Sequence, residues 1–159
     1  MPAAYHIPDE PRPGRLASYT VNPFWPFMAL MLGGAWIGLP WFVFNGVAMG
    51  SASLRKELLV AVAAPVVAIA TALLLGIAAV SFGLSERSMP YFKVLIIAVK
   101  LLFGYWLCLS QQRSFEIYRH FGGTVWQGAA LVALGAFYFG SRVVSAVAGH
   151  SGLLVIAVM

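Results

Sequence analysis

The sequence predicts an all-α membrane protein: a four-helix transmembrane bundle with a disordered N-terminal tail and a short interfacial helix. Three observations carry this. Residues 16–54, 58–85, 120–141 and 143–159 contain no Lys, Arg, Asp or Glu, and an uncharged apolar run of about 18 or more residues can cross a bilayer as a helix. A further run at 94–109, VLIIAVKLLFGYWLCL, is interrupted only by Lys100. Hydrophobic residues make up 61% of the chain and charged residues 9%, against roughly 25% charged in soluble domains. The net charge of +5 comes from bases placed singly or in the pair Arg55–Lys56. Without a basic run or stripe, this pattern argues against nucleic acid and for contact with the lipid bilayer.

Taken in order, residues 1–22 form a tail rich in Pro and polar residues, too poor in apolar side chains to build a core. Pro2, Pro8, Pro11 and Pro13, mixed with acids, also separate it from a signal peptide. Residues 23–159 form the single transmembrane domain. The first span covers about 24–49; NPFWPF opens it, since Pro is tolerated in a first turn. Pro40 is its expected kink, because it frees the carbonyl of Trp36. GSASLRKE at 50–57 is a turn in which Ser53, Lys56 and Glu57 approximate an N-cap. The second span covers about 58–82 and contains Pro65, and GLSERSMP at 83–90 is the next turn. The third covers about 91–110. In 111–121 Phe115, Tyr118 and Phe121 recur three apart among polar residues, which reads as an interfacial helix or an extension of the third span. Gly122 and Gly123 end it. The fourth span covers about 124–147, and residues 148–159 pack on the bundle or lie at the interface.

Four spans place the N-terminal tail, the 83–93 loop and the C-terminal end on one side. That side carries Arg12, Arg15, Arg87, Lys93 and Arg142, and the other carries Arg55, Lys56, Arg113 and Arg119. The excess favours both termini in the cytoplasm, with the chain in a bacterial inner membrane.

Membrane helices associate where small residues let backbones approach. Gly34, Gly38, Gly46 and Gly50 share one face of the first span, and Ala64, Ala68, Ala72 and Gly76 share one face of the second. The two faces pack on each other, or form a partner face for a homo-oligomer or another membrane protein. Lys100 is an intramembrane cation and so a functional candidate. Its stem can snorkel back toward the level of Lys93, or it can bind an anion or a partner's carboxylate. Arg142 lies on the same side, and with Lys93 and Lys100 makes a candidate anion, lipid or partner site.

Asp9, Glu10, Glu57, Glu86 and Glu116 all fall in tails, turns or helix ends, which leaves no titratable relay in the membrane. Asn45 and Gln127 read as buried polar groups bonded to neighbouring helices. No catalytic residue, metal site or cofactor is expected. His6, His120 and His150 share no span, Cys108 is single and reads as a small hydrophobe, and no nucleophile motif or phosphate loop occurs. The expected function is that of a non-enzymatic integral membrane subunit that scaffolds or stabilises a membrane protein assembly. The alternative is a small channel or carrier for an anionic or lipid-like solute, using Lys100 and Arg142.

Overall fold

The computed structural model describes residues 14–84 and 86–148, with side chains over 14–84 and 87–138. The described residues form five α-helices and contain no strand: α1 (Phe24–Gly33), α2 (Ala35–Met49), α3 (Leu54–Ser81), α4 (Met89–His120) and α5 (Ala129–Ala148). α3 and α4 are each long and apolar enough to cross a membrane.

The expected first span is broken in two. Gly34, at φ 97°, separates α1 from α2, a backbone region open to glycine and costly for L side chains. The two helices then fold back on each other. A Cβ on Gly38 would fall on the backbone of Leu30, 2.5 Å from its Cα, whereas eight residues of straight helix separate two positions by about 12 Å. α1–α2 is therefore a tight helical hairpin with its tip at Gly34. Pro40 lies within α2 and does not interrupt it.

The hairpin leans on α3 and α4 over only part of their length. Leu30, Ala35, Leu39 and Phe42 form one buried cluster with Ala61 and Ala64 of α3 and Leu107 of α4. A Cβ on Gly104 would fall on the side chain of Leu30, so Gly104 lies level with the Leu30–Gly38 contact, about one helical turn short of the tip. Beyond it, α4 runs another 15 residues back to Met89, about 23 Å. There α3 and α4 meet through Ala68, Ala72 and Ile96. α5 packs on the far side of α1: Gly33 touches Ala136, and Ala129, Ala133 and Ala136 are buried at helical spacing.

Two further expectations are corrected. Residues 14–22 do not belong to a tail. They include a short 3-10 turn at Ala17–Tyr19, and Thr20 and Val21 are fully buried. The carbonyl of Ala17 accepts from Tyr118 Oη at 3.0 Å, and that of Thr20 from Trp126 N at 2.8 Å. The tail expected over residues 1–13 and the segment expected over 149–159 lie outside the described residues. Of the two expectations for 111–121, the separate interfacial helix is corrected and the extension of the third span holds for 111–120. This segment continues α4, because Gln111, Ser114, Phe115 and Tyr118 prolong the inward stripe of Gly104 and Leu107. The helix ends at His120, and the chain turns away at Gly122, φ 80°.

Candidate functional site

The densest polar chemistry sits where α2 turns into α3. The backbone there closes α2 with a Schellman motif: Gly50 adopts φ 68°, its N–H donates to the Val47 carbonyl at 3.1 Å, and Ser51 N–H donates to the Gly46 carbonyl at 2.9 Å. The turn sets Ser51 and Ser53 beside the first turn of α3, which carries Glu57. Glu57 is 1% exposed. A buried carboxylate is tolerated only when its oxygens are satisfied, and here neutral donors do so. Its Oε1 accepts from Ser51 Oγ at 2.5 Å and Ser53 Oγ at 2.6 Å, and its Oε2 accepts from Gln111 Nε2 at 2.8 Å.

Gln111 is fully committed. The second hydrogen of Nε2 goes to the Phe42 carbonyl at 2.7 Å, and its Oε1 accepts from Asn45 Nδ2 at 3.2 Å. Asn45 Oδ1 in turn accepts from the Val21 N–H at 2.8 Å. One network thus ties the N-terminal segment, α2, α3 and α4 together. Gly46 makes room for it, since a Cβ there would lie 2.6 Å from Glu57 Oε2 and 3.1 Å from Gln111 Nε2.

The network extends outward through hydroxyls. Ser51 Oγ lies 3.2 Å from Ser114 Oγ, and Ser53 Oγ lies 3.4 Å from Ser110 Oγ. All four serines line a cleft of about 930 Å³, with Arg55, Lys56 and Arg113 also in its walls. Among the described residues, no three His, Cys, Asp or Glu side chains converge on a point.

The residues singled out from sequence are used in several ways. Gly34 makes the hairpin turn, Gly38 allows the α1–α2 contact, Gly46 houses the carboxylate and Gly50 caps α2. Ala64, Ala68 and Ala72 are buried, whereas Gly76 faces open space. Lys100 is buried on the inward stripe of α4, while Lys93 is exposed. The two lysines therefore do not share one environment. Arg142 lies in α5, and its side chain lies outside the described residues. Asn45 joins helices as expected, but Gln127 is exposed in the loop before α5. Glu57, Gln111 and the four serines are the residues that sequence reasoning missed. The signal that could have found them is Gln111 and Ser114 continuing the stripe of Lys100, Gly104 and Leu107.

The chain matches no family model, no curated protein and no solved structure.

Proposed function

We propose that the protein is a non-enzymatic integral membrane subunit that stabilises a larger membrane assembly. In this reading α3, α4 and α5 cross the bilayer, and α1–α2 enters and leaves it on one side as a re-entrant hairpin. Broken helices at membrane depth are tolerated when buried in protein, as the hairpin tip is between α3, α4 and α5. The observation that carries the assembly role is the open face below the tip. The small-residue stripe of α3 is covered at Ala64, Ala68 and Ala72 but uncovered at Gly76, beside exposed Leu73, Ile77 and Val80. A partner helix would complete that packing.

In this reading the hairpin also changes the expected orientation, since an N-terminal segment and an 83–93 loop on opposite sides replace two termini that share the cytoplasm. The end holding the N-terminal segment, the α2–α3 turn and the α4 terminus carries Arg15, Arg55, Lys56, Arg113 and Arg119, against Arg87, Lys93 and Arg142 toward the other end. The positive-inside rule then puts the cleft in the cytoplasm. Labelling of single cysteines in a Cys108→Ala background tests this. Ser18→Cys, Ser53→Cys and Gln127→Cys should react from one face and Ser88→Cys from the other. Reaction of Ser18→Cys and Ser88→Cys from the same face would restore four full spans. For the assembly role, the full chain in mild detergent should run larger than one copy, and Gly76→Leu should reduce it to the monomer. A wild-type monomer with no co-purifying protein would refute it.

A second reading, a small carrier for an anionic or lipid-like solute, is favoured by the burial of Lys100 on the inward stripe of α4. It expects Lys100→Gln to abolish solute flux in proteoliposomes while leaving the assembled size unchanged.

A further inference from the structure

The cleft beside Glu57 has two chemically different levels. Its rim is cationic: Arg55, Lys56 and Arg113 are all exposed and all line it. Its floor is not. A carboxylate only accepts, and a hydroxyl has one proton to give. Ser51 and Ser53 give theirs to Glu57 Oε1, so in the Ser51–Ser114 and Ser53–Ser110 pairs the donors are Ser114 and Ser110. Every hydroxyl proton of the cluster therefore points toward the buried carboxylate. What Ser110 and Ser114 offer to a ligand is acceptor oxygen above a negative charge. A simple anion suits the rim and not the floor, and a simple cation the reverse. A zwitterion suits both. The cleft's side wall adds a third element: Trp106 and Leu109 line it and are 43% and 53% exposed, an apolar strip on α4 leading away from the cationic rim toward the hairpin tip.

We propose that this cleft binds a phosphate ester carrying a primary ammonium, as in the headgroup of an ethanolamine phospholipid. The phosphate sits on the rim, where guanidinium groups pair with its oxygens. The ammonium donates to Ser110 and Ser114 above Glu57. The acyl chains lie along Trp106 and Leu109, with the indole at headgroup level. The site is separate from Lys93, Lys100 and Arg142, and it rests on the reading of the chain as embedded in a bilayer.

The test is lipid retention by the full-length protein, reconstituted in vesicles with equal parts of phosphatidylethanolamine, phosphatidylcholine and phosphatidylglycerol, then extracted in mild detergent and weighed by native mass spectrometry. The quaternary ammonium of phosphatidylcholine has no N–H to donate, and phosphatidylglycerol has no cation. Phosphatidylethanolamine should be enriched about tenfold over both, the equivalent of one charge-assisted hydrogen bond. The double variant R55Q/R113Q should lose all three lipids. The double variant S110A/S114A should bring phosphatidylethanolamine down to the phosphatidylcholine level without losing the rest, and Lys93→Gln should change nothing. Soluble glycerophosphoethanolamine should compete poorly with the lipid; full competition would make a free phosphate ester the ligand of the same site. Retention of phosphatidylglycerol equal to or above that of phosphatidylethanolamine would overturn the proposal, as would unchanged retention by R55Q/R113Q. Flotation of the same vesicles separates the two levels of failure. Protein that does not float refutes bilayer embedding and the lipid site with it, whereas protein that floats without selective retention refutes the site alone.

Discussion

The two ends of the α3–α4 pair are held by different physics. At the cleft end, four chain segments converge on Glu57 and Gln111 through directional hydrogen bonds at 2.5–3.2 Å, and the hairpin fills the space beside them. At the opposite end the same two helices touch through Ala68, Ala72 and Ile96, with Leu74, Val80, Phe82 and Tyr91 exposed around them. A buried polar network has one geometry in which all partners are satisfied, so it specifies register. A contact between alanines and an isoleucine allows sliding and repacking at small cost. The cleft end therefore sets the arrangement of the helices, and the far end adapts to what surrounds it.

The contrast breaks most sharply at two glycines of the expected small-residue faces. Gly38→Leu should be the most damaging change, destabilising by more than about 3 kcal/mol, because the new side chain meets the Leu30 backbone rather than a movable group. Gly76→Leu meets nothing within 4 Å and should cost the single chain less than about 0.5 kcal/mol. Thermal unfolding in detergent, followed by tryptophan fluorescence, compares the two. Equal losses would mean that the far end is as closely packed as the hairpin.

Next in size is Gln111→Leu, which leaves Glu57 Oε2, Asn45 Nδ2 and the Phe42 carbonyl short of a partner. A loss of about 3–5 kcal/mol is expected from leaving a buried charge under-satisfied. The same variant should also speed hydrogen exchange at the Val21 amide, since Asn45 would lose its anchor. Slow exchange there despite lost stability would show that the N-terminal segment is held independently of the network. At the far end, Ile96→Ala should cost about 2–4 kcal/mol by opening a cavity against Ala68 and Ala72, and should leave Val21 exchange untouched. Coupling of Ile96 to Val21 would erase the distinction between the two ends. Tyr118→Phe should be the mildest of the changes that remove a contact, about 1 kcal/mol, from losing the one hydroxyl proton shared between the Ala17 and Thr124 carbonyls. Its effect should appear as faster proteolysis near Arg15.

Much of the helical layout is legible in the sequence. The apolar runs, the turns near Gly50 and at 83–88, and the stop at Gly122 follow from composition and from residues acting on their own neighbours. The break at Gly34 is not legible in the same way. A glycine within an apolar run is compatible with a continuous helix, and Pro40, six residues on, is the stronger local signal. The break is decided by the contacts of Leu30 with Gly38 and Gly104 and of Gly33 with Ala136, which come from three other helices.

The candidate site divides along the same line. Ser53 and Glu57 read locally as an approximate helix cap, yet Ser53 makes no side-chain cap to α3 and bonds the carboxylate instead. Whether Glu57 is a solvated helix-end acid or a buried anchor depends on Gly46, eleven residues before it, and on Gln111, 54 residues after it. By itself the sequence determined where the chain is helical and apolar, because those properties depend on each residue and its near neighbours. Only the tertiary structure decided which polar groups are buried together, because burying a charge becomes affordable only when distant segments deliver its hydrogen-bond donors to the same point.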